Sequence, residues 1–457
     1  MHAAALEETE AAAFRRRTPA SARWHAEARA FLPGGDSRST VFYQPYPAIM
    51  ERGEGCRLHD LDGNVLLDFT GNHSSLVHGY GHPGVLDAVR AQLARGTAFP
   101  SGTRVQIDLA RHLTRRIPSL DLVRFTNSGT EAAMLALRGA RAFTGRNRVA
   151  KAEGGYHGST DEFMVSTHPD VSAAGPVEVP RAVPASKGLP AEAVERVLVI
   201  PFNDAPAAVD LIEREREDLA AVFIEPVMGS AGMIPAERQY LVALREVTRK
   251  YGIVLVFDEV VSFRVAHGGA EEAFGVRPDL TVLGKLVGGG FPLGAFGGRR
   301  DIMALFDPSA GRPAIPHPGS YNANPVSLSA GLASLEALDH AAIAGLNRVG
   351  DAVRTACRTI FADAALPAQV TGLGSLFGIH LTDRTVRAWR DTVGADLGLR
   401  HRLFLALYNE GVLIDPRGVG APSTAIGMAE VEQLATALRR IMLRLRPSAD
   451  LPHPVGT

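Results

Sequence analysis

The sequence predicts an α/β protein: a large, mainly parallel sheet flanked by helices, with a smaller α+β domain beside it. Three observations carry this. Apolar runs at 219–224, 253–257 and 280–283 have the length and composition of strands buried on both faces. Between the first two, Tyr240, Leu244, Val247 and Tyr251 keep helical spacing. Beyond residue 325 the regular alternation of strand and helix fades.

Taken in order, residues 1 to about 32 read as helix, stopped by Pro33-Gly34-Gly35. Runs at 56–59 and 65–69 flank Asp62-Gly63, a hairpin signal. A loop with Gly79, Gly81 and Pro83 leads to an amphipathic helix at 85–93. Residues 122–125 form a strand, Asn127-Ser128-Gly129-Thr130 a turn, and the next helix carries Met134, Leu137 and Ala140 on one face. A strand at 148–151 enters Gly154-Gly155-Tyr156-His157-Gly158. Residues 168–190 hold prolines and glycines without periodicity, a loop of the length that often serves as a lid. Further strands lie at 197–201 and 219–224, with helix between.

After Asn324-Pro325 a helix of small residues runs to about 338. Then come a strand at 375–381, a helix at 399–407 and a strand at 412–414. Val431, Leu434, Leu438, Ile441 and Leu445 mark a last amphipathic helix, which Pro447 ends before a loose tail. We expect a helix and small-domain segment at 1–65, a large domain at 66–325 and a small α+β domain at 326–457. Strand order stays open.

Composition narrows the function. With 46% apolar and 21% charged residues in 457, the chain is an ordinary globular protein. A net charge of −1 gives no general field for nucleic acid or an anionic membrane, so small molecules and protein chains are the expected partners. Two cysteines, Cys56 and Cys357, argue against a disulfide framework and fit a reducing compartment. There is no bilayer-length apolar run, and the N-terminus lacks a secretory pattern; a cytoplasmic location is expected.

The strand at 253–257 ends at Asp258-Glu259, and the one at 280–283 ends at Gly284-Lys285. Open α/β sheets bind ligands at the carboxyl ends of their strands, so an acid and an amine stand at one rim. Lys285 is either a solvated surface charge or, held in a crevice, a nucleophile toward carbonyls. Asp258 is either a helix cap or a carboxylate that holds a ligand cation. Ser128, Gly129 and Thr130, between a strand and the first turn of a helix, suit a phosphate, although such residues also serve as plain caps. Tyr156 offers a ring for stacking on a heteroaromatic cofactor, or is a core tyrosine. Pyridoxal phosphate needs this set: a lysine, an acid for the pyridine nitrogen and a phosphate cup.

Together Asn127-Ser128-Gly129-Thr130-Glu131-Ala132, Tyr156-His157-Gly158, Glu225-Pro226, Phe257-Asp258-Glu259-Val260 and Leu283-Gly284-Lys285 resemble the class III aminotransferases, fold type I pyridoxal-phosphate enzymes. Lys285-Leu286-Val287-Gly288-Gly289-Gly290 and Gly294-Ala295-Phe296-Gly297-Gly298-Arg299 narrow the resemblance to the glutamate-1-semialdehyde aminomutase branch. It covers roughly residues 30–445. The resemblance implies Lys285 as Schiff-base lysine and proton shuttle. It puts Asp258 on the pyridine nitrogen, Val260 behind the ring, Tyr156 in front of it, and Ser128, Gly129 and Thr130 on the phosphate. Gly319-Ser320-Tyr321-Asn322-Ala323-Asn324-Pro325 resembles a loop that crosses a dimer, where Ser320 would touch the partner's phosphate. A homodimer with shared sites is implied.

Departures from the aminomutase pattern matter. Val261-Ser262-Phe263-Arg264 is one residue shorter, the acidic residue expected in the C-terminal loop is missing with Ile414-Asp415-Pro416-Arg417-Gly418 in its place, and Met228 and Ser230 stand where an amide is expected. Asp36-Ser37-Arg38-Ser39, Phe42-Tyr43, Pro45 and Pro416-Arg417-Gly418 resemble the aromatic β-amino acid (β-phenylalanine) aminotransferases. There the position of Arg38 grips the β-amino acid carboxylate, and that of Arg417 a keto-acid carboxylate. The implied activity is transfer of an amino group from an amino donor to a keto acid such as 2-oxoglutarate or pyruvate. The alternatives are an aminomutase or epimerase, and a non-catalytic binding protein on the same fold. His73, His78 and His82 lack the ligand spacing of a metal site, and none is expected.

Overall fold

The computed structural model describes residues 2–445, with side chains from 10 to 444. The expected helix stop at Pro447 and the tail beyond it lie outside the described residues.

The large sheet has seven strands: β1 (Leu122–Thr126), β2 (Arg148–Ala152), β3 (Val197–Ile200), β4 (Leu219–Ile224), β5 (Val254–Asp258), β6 (Leu280–Leu283) and β7 (Gly294–Gly298). Their order is β1-β7-β6-β5-β4-β2-β3. β7 alone runs against its neighbours, β6 and β1; the other pairs are parallel. The expected mainly parallel sheet is therefore observed, with one reversed strand.

Alternation explains the apolar runs. Val222, Ile224, Leu255 and Phe257 face one layer, packed on Leu211, Tyr240 and Leu244. Ala221, Phe223, Val254 and Val256 face the other, packed on Leu135, Ala136 and Ala140 of the helix Gly129–Thr144. Successive side chains point to opposite faces, and helices cover both, so every position is apolar.

The N-terminal stretch is two helices, His2–Arg17 and Pro19–Ala28, where one was expected. Pro19 has no N–H to continue the ladder and disfavours helical geometry at Thr18, whose φ of −129° is non-helical. Thr18 Oγ1 then bonds Phe14 O at 2.7 Å. The hairpin about Asp62-Gly63 is present as Arg57–Asp60 against Val65–Asp68. An outer strand, Met50–Glu54, extends it, and Val412–Leu413 pairs parallel on the other side.

Phe14, Leu58, Leu66 and Phe69 share one core with Val353, Phe361, Phe404, Leu434 and Leu438. The two ends of the chain thus build one body beside the sheet. The helix His340–Asp363 spans 24 residues of it. Residues 168–190 contain no helix or strand. Arg390 ties this loop down: its guanidinium bonds Gly175 O and Ala174 O while pairing with both oxygens of Glu153. Among the described residues no helix is long and apolar enough to cross a membrane.

Candidate active site

Because β1, β2, β4, β5 and β6 run the same way, their carboxyl ends share one rim. The residues just past them are Ser128 and Gly129, Glu153 and Gly154, Glu225, Glu259, and Lys285. A cavity of about 370 Å³ opens there. Gly129, Thr130, Tyr156, Asp258, Val260, Lys285 and Arg417 all line it. Ser128 sits one residue outside that lining and caps the helix Gly129–Thr144, its Oγ accepting from Glu131 N at 3.2 Å. The N–H groups of Gly129 and Thr130 belong to the first helical turn, where no helical acceptor exists.

Two expected residues lie apart. Arg38 is exposed, outside the cavity lining, and donates through Nη1 to Asn72 Oδ1 at 3.3 Å. Ser320 lines a separate cavity of about 550 Å³ with Phe99, Arg124 and His317.

Asp258 is fixed from both sides. His157 Nδ1 donates to its Oδ2 at 2.9 Å, and Val260 N to its Oδ1 at 3.1 Å. Burial lowers the pKa of His157, against the pull of Asp258. Lys285 takes a left-handed φ of +51°, and its Nζ forms no hydrogen bond or salt bridge among the described residues. Burial lowers its pKa, while Glu225 and Asp258 oppose the shift. Glu225 accepts from Tyr156 N (2.8 Å) and Gly229 N (3.0 Å), stapling two cavity loops. Its own pKa is raised, first by burial and then by the charge of Asp258.

Glycines set the spacing. A Cβ on Gly129 would stand 2.9 Å from Val260 Cγ2, and one on Gly158 2.6 Å from Thr130 Oγ1. A run of left-handed residues closes the mouth: Gly71, Asn72, His73 and Ser74 have φ between +47° and +72°. An ordinary side chain in that region, such as Ser74, costs about 1–2 kcal/mol. Asp68 compensates, accepting from Thr70 N, Thr70 Oγ1, Gly71 N and Tyr80 OH at 2.6–3.2 Å. The turn carries His73 Nδ1 to 3.1 Å from Asp415 Oδ2. His78, from the same stretch, is bonded to Ser334 O and Thr424 Oγ1.

Sequence reasoning missed the places of His157, Glu225, His73 and Asp415. Glu225 carried a usable signal, since it ends an all-apolar strand as Asp258 does. His157 and Asp415 lay inside motifs that pointed to their neighbours. The contact of His73 with Asp415 spans 342 positions (415 − 73), and nothing local announces it.

The chain matches the family model for class-III aminotransferases over residues 39–442. It is 42% identical over 386 residues to a glutamate-1-semialdehyde 2,1-aminomutase from Methanothermobacter thermautotrophicus, covering 84% of this chain and 89% of the relative. It is 38% identical over 440 residues to the β-phenylalanine transaminase of Variovorax paradoxus, covering 95% and 96%. Among solved structures, an ω-transaminase from Sphaerobacter thermophilus superposes with a TM-score of 0.90 at 45% identity, over 93% of this chain and 97% of that one. A transaminase with pyridoxal phosphate bound gives a TM-score of 0.87 at 38% identity, over 93% and 98%.

The cavity suits that cofactor. Gly129 and Gly158 leave space that any Cβ would fill, Lys285 Nζ is unpaired among the described residues, and Asp258 keeps lone pairs beyond its two internal bonds. Fold, cavity and sequence agree that this chain belongs to the class III aminotransferases and that its cofactor is pyridoxal phosphate.

Proposed function

We propose that the chain is a transaminase that moves an amino group from an amino acid, a β-amino acid by preference, to a keto acid such as 2-oxoglutarate or pyruvate. One observation carries this beyond the family: Arg417 lines the same cavity as Lys285 and Asp258. An arginine fork binds carboxylate in a bidentate way, which a site for two acids in turn requires. The β-phenylalanine transaminase among the relatives supports the β-amino acid preference.

When bound, the cofactor supplies an aldehyde that takes up the amino group and a ring that absorbs electrons from the substrate carbon. Lys285 Nζ would hold the cofactor and carry a proton from the substrate carbon. Burial favours the neutral amine needed for both. Asp258 would hold the ring nitrogen, Val260 and Tyr156 the two ring faces, and Ser128, Gly129 and Thr130 the phosphate. Arg417 would take the keto-acid carboxylate and Arg38 that of the donor. Ser320 would serve a partner chain's site in a homodimer of the cytoplasm.

A second reading is favoured by the 42% identity to an aminomutase. The two differ in their need for an acceptor. Purified holoenzyme should be given α-, β- and ω-amino donors with and without 2-oxoglutarate or pyruvate. We expect a strict requirement for the keto acid. Conversion of glutamate-1-semialdehyde with no acceptor present would replace the transaminase reading with the aminomutase one.

A further inference from the structure

We propose that Asp415 and His73 are positioning residues that decide which edge of Arg417 meets a substrate carboxylate. The proposal rests on the reading of Arg417 as a carboxylate ligand and goes beyond it. A guanidinium has two bidentate edges, Nε with Nη2 and Nη1 with Nη2. Asp415 occupies the first: Oδ1 accepts from Arg417 Nε and Oδ2 from Nη2, both at 2.9 Å. Oδ1 also accepts from Arg417 N at 2.8 Å, and Gly418 N donates to Asp415 O at 2.8 Å, so side chain and backbone are held by one residue. Among the described residues, Nη1 of Arg417 has no partner; Nη2 also lies 3.4 Å from His73 Nδ1, whose hydrogen goes to Asp415 Oδ2, so the Nη1–Nη2 edge is left for a ligand.

The support behind Asp415 is rigid. Its side chain is 3% exposed, against 37% for Arg417, so the acid is anchored and the base reaches outward. His73 Nδ1 sits beside the pair, 3.1 Å from Asp415 Oδ2 and 3.4 Å from Arg417 Nη2, delivered by the left-handed turn that Asp68 fastens. A residue run in that conformation persists only where its surroundings over-determine it. The same turn offers Asn72 Oδ1 to Arg38, so one strained element touches both arginines. Asp415 therefore works as a brace. It removes the freedom of a long side chain before the substrate arrives, and pre-organisation of this kind raises affinity.

The test uses holoenzyme and glutarate, an unreactive dicarboxylate, with its dissociation constant measured by calorimetry. Keto-acid KM and kcat are measured in parallel. Asp415→Ala should weaken glutarate and raise the keto-acid KM about ten-fold, with kcat little changed. Asp415→Asn and His73→Ala should give smaller changes in the same direction, and they keep the test open if Asp415→Ala does not fold. In an Arg417→Ala background, Asp415→Ala should add nothing. Tighter glutarate binding in Asp415→Ala would overturn the proposal, making Asp415 a competitor for the arginine. Additivity in the double variant would overturn it too. Unchanged glutarate binding in Arg417→Ala would sink the carboxylate role of Arg417 and this proposal with it. Intact Arg417 dependence without Asp415 dependence would sink the proposal alone.

Discussion

Two buried carboxyls in one cavity are shifted in opposite directions. Glu225 is 5% exposed and Asp415 is 3% exposed. Glu225 accepts only from backbone amides and stands beside the negative Asp258, so its pKa rises. Asp415 accepts from Arg417 and His73, so its pKa falls well below the usual carboxylate range despite equal burial. Burial alone does not decide the charge of a group; its partners do. The inner end of the cavity is a fixed frame around Asp258 and Lys285. The mouth is a braced ion pair that reaches toward solvent.

If the inner end carries the chemistry, substitutions there should act on turnover and those at the mouth on affinity. The largest effect is expected from Lys285→Ala. It removes both the covalent hold on the cofactor and the proton carrier, so turnover should drop at least about 10³-fold. The absorbance of the lysine-bound cofactor should vanish with it. Retention of both would end the assignment of Lys285.

Asp258→Asn comes next, with a loss of about 10²–10³-fold, since a neutral amide cannot hold a ring proton as a carboxylate does. His157→Gln should cost about ten-fold, because His157 acts only through Asp258. A loss in His157→Gln as large as that in Asp258→Asn would mean that His157 does more than orient its neighbour.

The frame at the inner end was largely legible in the sequence, and the mouth was not. Strands buried on both faces announce themselves as apolar runs, and the first residues past the end of each parallel run lie on the rim. That reasoning leads to Asp258, Lys285 and Gly129. β7 escaped because Gly294-Ala295-Phe296-Gly297-Gly298 lacks β-branched residues. A Cβ on Gly294 would stand 2.1 Å from Ser128 O, so the close approach its glycine allows is to protein backbone. Met50–Glu54 escaped because it is exposed on most of its length and shows no apolar alternation. At the mouth, His73 and Asp415 come from opposite ends of the chain. Only tertiary packing joins them, and only Arg417 had a motif to point to it.

The opposed carboxyls also predict opposed responses to pH. A carboxyl whose pKa is raised on folding binds protons more readily in the folded state. Glu225 therefore costs stability as pH rises above its unfolded value of about 4.5, up to its folded value of about 8. Asp415, lowered on folding, contributes stability above pH of about 4 and loses it below. Glu225→Gln should raise stability at pH 8 relative to the parent by at least about 1 kcal/mol, with little difference at pH 4. Asp415→Asn should lower it at pH 8 by about 2 kcal/mol, with the gap narrowing in acid. Urea unfolding at the two pH values reads both, and parallel changes in the two variants would erase the contrast.

The smallest effect expected is at Ser74, in the strained turn. Its φ of +72° suits glycine, its side chain is buried, and its Oγ has no hydrogen-bond partner among the described residues. Ser74→Gly removes both the left-handed penalty and an unsatisfied buried hydroxyl, while the backbone bond from residue 74 N to Thr70 O remains. Against these gains stands the added freedom of a glycine in the unfolded chain, which offsets up to about 1 kcal/mol. The net change should be a stabilisation of about 1 kcal/mol, read as a rise in the urea midpoint. If the turn is strained in order to hold His73 against Asp415, that gain should come with a higher keto-acid KM. Greater stability with an unchanged KM would mean that the strain is idle and the brace on Arg417 does not depend on it.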